Sequence, residues 1–189
     1  MARAEPIGAV LAGGRSQRMG GSKATADLGG RPLVAWPLEA LRAVLKEVVV
    51  VAKRSTALPP LDVAVWVEPD EPLHPRAGIV HALERADGRA VLACAVDLPL
   101  VTPLLVSTIA HADGTIAVVP RAGGRLQPLL ARYEPAALGA LRAAPADEPL
   151  TATVEALGPS VLEIAEDEAF TNANTPAELA EIAQRIARR

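Results

Sequence analysis

The sequence predicts an α/β fold: a three-layer αβα sandwich on a Rossmann-like, mostly parallel sheet with one antiparallel strand. Three observations predict it. Short apolar runs alternate with segments of helical periodicity from the N-terminus onward. Most of the runs are apolar throughout instead of alternating, as strands buried on both faces are. Glycine, basic or acidic residues follow several of them directly, at the strand ends where such a sheet binds ligands.

The strand-like runs are residues 7–12, 47–52, 63–67, 90–96 and 115–119. After the turn at Ala122-Gly123-Gly124, residues 125–133 return as an antiparallel strand. Helical patterns occupy 33–45, 77–86, 103–111 and 135–144. In the first, Leu33, Trp36, Pro37, Ala40, Leu41, Val44 and Leu45 fall on one face. The last helix spans 176–188, with Thr175 as N-cap and Pro176 at its first position. Leu179, Ile182, Ala183 and Ile186 form its apolar stripe, and Arg185, Arg188 and Arg189 stand where the helix dipole favours cations. Pro59-Pro60 and residues 69–75 read as loops inside one domain covering 1–189.

Composition narrows the class. The chain has 189 residues, 50% of them apolar and 22% charged, with a net charge of −3. That is enough for one domain with a real core, and too apolar for a disordered chain. The longest apolar runs fall far short of the roughly 20 residues that span a bilayer. The single cysteine, Cys94, excludes a disulfide scaffold and reads as inert core. Residues 1–6 lack the layout of a signal peptide, which predicts a cytoplasmic protein with no membrane partner. Four aromatic residues and an acidic balance argue against nucleic acid as a partner. His74, His81 and His111 are not at metal-ligand spacing, and Ser16 is not in a nucleophile elbow.

The first strand runs into Ala12-Gly13-Gly14-Arg15-Ser16-Gln17-Arg18-Met19-Gly20-Gly21-Ser22-Lys23. Paired glycines let backbone N–H groups approach an anion, and Arg15, Arg18 and Lys23 add positive charge. The spacing is not that of a Walker A loop, because Gly14 to Gly20 is one residue too long and Lys23 does not follow Gly20. Nor is it a dinucleotide fingerprint, since the glycines are adjacent. The bland alternative is a solvated turn with incidental basic residues. Asp97 ends the run at 90–96. Alone it would cap a turn, but opposite a Gly-Arg-Lys loop it suits Mg²⁺, which prefers oxygen ligands.

The string Leu11-Ala12-Gly13-Gly14-x-Ser16-x-Arg18-Met19-Gly20-x-x-Lys23 resembles the signature of sugar-nucleotide-type nucleotidyltransferases, and its Gly13-Gly14 form resembles the molybdenum cofactor guanylyltransferase family. Gly30-Arg31-Pro32-Leu33-Val34, the segment from Gln127 to Tyr133, and Asn172-Ala173-Asn174-Thr175-Pro176 match the same family, so the resemblance runs over nearly the whole chain. It implies the nucleotide-diphospho-sugar transferase type of fold. The implied reaction is transfer of GMP from GTP to molybdopterin carrying molybdenum, with release of pyrophosphate. The resemblance makes Arg18, Lys23 and Asp97 catalytic, with Mg²⁺ as cofactor on Asp97. It assigns GTP binding to Leu11, Ala12, Gly13, Gly14, Lys23, Lys53, Asp70 and Asp97. Asp70, after the 63–67 run, could accept from the N1–H and N2–H₂ edge of guanine or be a solvated loop acid. Gln127, Arg132, Asn172 and Asn174 are the candidate acceptor contacts; Asn174 and Thr175 could equally serve only to start the last helix. Implied protein partners are those that deliver molybdopterin and the apoenzymes that receive the product.

The sequence departs from the family pattern at three places. Lys53 stands where an asparagine is usual and could reach phosphate or ribose. His74-Pro75-Arg76-Ala77-Gly78 replaces Gly-Pro-Leu-Ala-Gly, and Arg76 reads either as added anion affinity or as an exposed substitution. Ser22 replaces an aspartate before the lysine. These keep open cytidylyl or other nucleotidyl transfer to molybdopterin or another small phosphate, and a non-catalytic nucleotide-binding relative.

Overall fold

The computed structural model describes residues 4–13, 22–165 and 168–188. Strands β1 (Ile7–Leu11), β4 (Val48–Lys53), β5 (Ala64–Glu68) and β6 (Val91–Ala95) are four of the predicted runs. β1 lies between β4 and β6 and is parallel to both, while β5 extends the sheet parallel to β4. The other half holds β7 (Ala117–Ala122), β8 (Arg125–Leu126), β9 (Leu130–Tyr133) and β10 (Ser160–Ile164). The strand order is β10-β7-β9-β6-β1-β4-β5, with β8 paired to β7. β9 runs antiparallel to both β6 and β7. The mostly parallel sheet with an antiparallel insertion is therefore as expected. A short hairpin, β2 (Asp27–Leu28) with β3 (Arg31–Pro32), stands apart from it.

The alternating sides of each strand feed two cores. Val10, Val50, Leu92 and Cys94 pack beneath α1 (Ala35–Arg42) and α3 (Pro103–His111). Ala9, Val49, Val91 and Tyr133 pack on the other face, beneath α2 (Pro75–Arg85), α4 (Leu138–Ala143) and α5 (Leu150–Ala156). This two-sided burial is why the strands are apolar at every position. The last helix, α6 (Pro176–Ala187), lays Leu179 and Ile182 on Leu28, Leu33 and Leu100 in a third cluster. Its predicted start is a capping box: Thr175 Oγ1 accepts from Glu178 N, and Glu178 Oε2 accepts from Thr175 N at 3.0 Å.

Several boundaries differ from expectation for identifiable reasons. α2 begins two residues early, because His74 Nδ1 accepts from Arg76 N at 3.1 Å and Pro75 takes the first helical position. The return segment 125–133 is two strands, not one. Pro128, which has no N–H to give a ladder, sits between β8 and β9. The hairpin turn itself is as predicted, with Gly123 (φ 54°) and Gly124 (φ 73°) both in the left-handed region. The stretch 135–144 opens as a 3₁₀ turn, Pro135–Ala137, before α4. The hairpin β2–β3, α5 and β10 were not expected.

Candidate functional site

β1, β4, β5 and β6 are mutually parallel, so their C-terminal ends share one edge of the sheet. The chain order reverses direction at β1, with β4 and β5 to one side and β6 to the other. That is the kind of switch point at which open α/β sheets bind ligands. A cleft of about 320 Å³ opens there, in the range of small-molecule sites. Leu11, Ala12 and Gly13 form its floor, Lys53 and Glu68 one wall, Ala95 to Asp97 the other, and Leu73, His74, Pro75 and Gly78 its rim. Lys23 enters from the 3₁₀ turn Lys23–Thr25, and Leu129 from the turn before β9. Tyr133 Oη donates to Pro128 O at 2.7 Å and so holds that turn; burial pushes the phenol's pKa upward.

On the β6 side, Lys23 Nζ lies 2.7 Å from Asp97 Oδ2 and 2.5 Å from Asn174 Oδ1. The ammonium and carboxylate remain about a fifth exposed, at 21% and 17%. Asn174 is brought here by two devices. Ala173 N donates to Asp97 O at 2.9 Å, stitching the 171–174 segment to the tip of β6. Glu178 Oε2, the capping-box carboxylate, also accepts from Asn174 N at 2.7 Å. The start of α6 and a polar contact in the cleft are thus one construction. The helix start that the sequence suggested for Asn174 and Thr175 is present, and the Asn174 side chain contacts Lys23.

The opposite wall follows from strand parity. Leu11, Val51 and Trp66 face α2, and side chains two residues on share that face. Gly13, Lys53 and Glu68 therefore form a row across β1, β4 and β5, with Lys53 and Glu68 in register. Both side chains are buried, at 8% and 5% exposure. Lys53 Nζ donates to Pro69 O at 2.6 Å and lies 3.9 Å from Glu68 Oε1. Glu68 Oε2 is buried and has no hydrogen-bond partner among the described residues. Burial raises the Glu68 pKa above the usual carboxylate range, with Lys53 pulling in the opposite direction.

Of the residues expected at the site, Leu11, Ala12, Gly13, Lys23, Lys53 and Asp97 line the cleft and Asn174 reaches Lys23. Gly14 and Arg18 lie outside the described residues. Asp70 is exposed on the loop beyond β5 and Asn172 is exposed before α6; neither lines the cleft. Gln127 sits between β8 and β9, where Nε2 makes a long contact with Arg125 O at 3.4 Å. Lys53 turns to the Pro69 carbonyl and Glu68, inside its own wall.

Two arginines are corrected. Arg132 was expected to contact the acceptor, but only 1% of its side chain is exposed. Its guanidinium donates to the Ile109, Ala110 and Ala112 carbonyls at the end of α3 and to Glu134 Oε1 at 2.8 Å. It satisfies the carbonyls a helix end leaves without partners. Arg76 is neither exposed nor an anion contact. It is buried and donates to Thr153 Oγ1, Ala144 O and Pro145 O, tying the start of α2 to the α4–α5 connection. Glu68 is the functional candidate that sequence reasoning passed over in favour of Asp70. Its parity with Trp66 was the available signal, because two residues on in a strand points to the same buried face.

The model for a MobA-like NTP transferase domain matches residues 8–161. A probable molybdenum cofactor guanylyltransferase from Thermococcus gammatolerans is 38% identical over 138 residues, covering 69% of this chain and 70% of its own. A molybdenum cofactor guanylyltransferase from Cereibacter sphaeroides is 31% identical over 181 residues, 92% of this chain and 93% of its own. Among solved structures, molybdopterin-guanine dinucleotide biosynthesis protein A from Archaeoglobus fulgidus superposes with a TM-score of 0.76 at 23% identity, over 97% of this chain and 100% of that one. A nucleotidyl transferase from Methanothermobacter gives 0.81 at 21% identity, over 97% and 98%. These structural likenesses establish the shared fold.

Proposed function

The chain belongs to the family of MobA-like NTP transferase domains, and from that premise we propose that it transfers GMP from GTP to molybdopterin carrying molybdenum, releasing pyrophosphate. The observation that carries this reading is the meeting of Lys23, Asp97 and Asn174 at the β1/β6 switch point. Within it, the nucleotide takes the cleft above Leu11 to Gly13, and the acceptor approaches from the side of the 171–174 segment.

Magnesium fits the donors present. Asp97 Oδ2 and Asn174 Oδ1 converge on one point, which the Lys23 ammonium fills, so the structure already places a positive charge there. Among the described residues no three His, Cys, Asp or Glu side chains gather as a metal site. Asp97 and Asn174 would hold Mg²⁺ here through their oxygens, the ligand type that this ion prefers. When bound, it neutralises charge on the transferring phosphoryl group.

The chain's own residues do the rest by positioning. In the reaction an acceptor phosphate oxygen bonds to the α-phosphorus as the bond to the bridging α–β oxygen breaks, and pyrophosphate leaves. No covalent enzyme intermediate is needed. Lys23, released from Asp97, puts its charge on the phosphates. Asn174 fixes where that ammonium starts. No helix among the described residues is long and apolar enough to cross a membrane. We assign the protein to the cytoplasm, receiving molybdopterin from one protein partner and passing the product to an apoenzyme.

The test is pyrophosphate release from Mg·GTP on addition of molybdopterin. The expected result is acceptor-dependent release with GTP. Release with CTP in place of GTP, or none with any pterin acceptor, overturns it.

A further inference from the structure

The rim that the start of α2 gives the cleft is fastened from behind. His74, Pro75 and Gly78 line the cleft, and Gly78 comes close to its floor: a Cβ there would lie 3.3 Å from Leu11 Cδ2. From Ile79 onward the helix is held by its apolar face, with Ile79, Ala82 and Leu83 in the core. The first turn has no such face. Pro75 is exposed, Ala77 is half-buried and Gly78 has no side chain, so among the described side chains of that turn only Arg76 is buried. The loop before it, residues 69–73, is exposed throughout.

Arg76 does not itself line the cleft. Its guanidinium donates to Ala144 O at 2.9 Å, Pro145 O at 2.8 Å and Thr153 Oγ1 at 3.2 Å. These partners are neutral, and the Glu148 carboxylate stands behind the Thr153 hydroxyl, which donates to Oε2 at 2.7 Å. A cation buried on neutral acceptors is costly, and an apolar side chain of similar volume would serve stability as well or better. What an apolar side chain would not supply is three directed bonds that fix where the first turn lies. The backbone of the same residue caps the helix, Arg76 N donating to His74 Nδ1 at 3.1 Å. That bond needs the lone pair of Nδ1, so the neutral ring carries its proton on Nε2. We infer that Arg76 is a positioning residue for the nucleotide: its guanidinium clamps the first turn of α2 to the α4–α5 connection and thereby sets the rim made by His74, Pro75 and Gly78. The inference rests on the reading of this cleft as a nucleotide site.

The experiment compares the full wild-type chain with Arg76→Leu, Arg76→Lys and Thr153→Val. It reads melting, GTP binding by calorimetry at a temperature where each variant is folded, and the ¹⁵N signals of the His74 imidazole. Arg76→Leu is expected to weaken GTP binding by roughly 5- to 20-fold through lost preorganisation, and to let the His74 ring sample both tautomers. Pyrophosphate release at saturating substrates should keep its kcat within about twofold, because Lys23, Asp97 and Asn174 stand on the opposite wall. Arg76→Lys, whose ammonium can still meet the Ala144 and Pro145 carbonyls, recovers part of the affinity. Thr153→Val weakens binding by about 2- to 3-fold and adds nothing in the Arg76→Leu background. A Leu variant that melts lower but binds GTP as wild type does makes the arginine purely structural and overturns the assignment, as does a fall in kcat as large as the loss of affinity. Should Arg76→Leu fail to fold, Arg76→Lys and Thr153→Val carry the comparison, and wild-type GTP affinity in both overturns it. A wild-type protein that binds no nucleotide sinks the nucleotide-site reading, whereas an unchanged His74 tautomer in the Leu variant sinks the clamp itself.

Discussion

Lys23 Nζ and Asp97 Oδ2, 74 positions apart in the chain, meet at 2.7 Å where the first and sixth strands end side by side. The pair is only partly buried, and Asn174 Oδ1 remains to the lysine if the carboxylate is lost. Asp97→Asn should therefore fold normally, with stability lowered by about 1 kcal/mol or less. Turnover should fall by two orders of magnitude or more, the usual effect of removing a charged group aimed at a reacting phosphate. Thermal melting and pyrophosphate release measure the two quantities separately. Near-normal turnover would remove Asp97 from the chemistry.

Asn174 gives a graded version of the same test. Its backbone, not its side chain, joins the cap of α6, so Asn174→Ala leaves Thr175 and Glu178 to hold the helix. Loss of one hydrogen bond to the Lys23 ammonium should lower turnover by roughly 10-fold. Asn174→Asp, by contrast, places a second carboxylate on Lys23 and holds the ammonium away from phosphate. It should be slower than the alanine variant at saturating substrate. The reverse ranking would show that the amide acts otherwise than by positioning Lys23.

The sheet was legible because double burial makes a strand apolar at every position, and β1, β4 and β6 are buried at nearly every one. β2 and β3, with two residues each, are too short to display a period. β10 is half-buried at the sheet edge, and α5 carries Thr151, Thr153 and Val154, β-branched residues that blur a helical pattern. The site divides in the same way. Lys23 and Asp97 announce themselves as charged residues that come soon after apolar runs. Arg132 misled because a buried arginine serving a helix end and an arginine serving a phosphate look alike in one dimension. Glu68 was hidden by its neighbour Asp70, since only parity with Trp66 separates a buried carboxylate from an exposed one.

For Arg132, truncation is a question of stability. Arg132→Met strips donors from the Ile109, Ala110 and Ala112 carbonyls at the end of α3 and takes the guanidinium away from Glu134 Oε1. Breaking one partner of such a buried pair costs about 3–5 kcal/mol. Denaturant titration should show that loss. Molecules still folded at low temperature should retain the wild-type KM for the acceptor; a large rise in that KM with little loss of stability would restore Arg132 to the acceptor site.

Glu68 should leave a mark on the pH dependence of folding. Burial raises its pKa in the folded state above its ordinary value of 4.5, so the folded protein holds the proton more tightly than the unfolded chain. The sign follows from linkage: this group's favourable contribution is complete below pH 4.5 and is lost as pH rises through the folded pKa. Glu68→Gln has no such titration. The melting temperature of the variant relative to wild type should therefore increase between pH 4 and pH 7. A difference that stays flat, or moves the other way, would mean that Lys53 outweighs desolvation.

The contact between Gly13 and Glu68 can be tested by a double-mutant cycle. A methyl group at residue 13 would lie 1.7 Å from Glu68 Oε1, and a side chain buried to this degree has little room to move. Gly13→Ala should therefore destabilise the protein by about 1–3 kcal/mol through overpacking. In a Glu68→Ala background the carboxylate is gone and the methyl enters vacated space, so the same substitution should cost close to nothing. The coupling energy then falls at the upper end of the roughly 0.5–3 kcal/mol seen for residues in contact. Additive effects in urea titrations would show that the glycine is required for something other than room for this carboxylate.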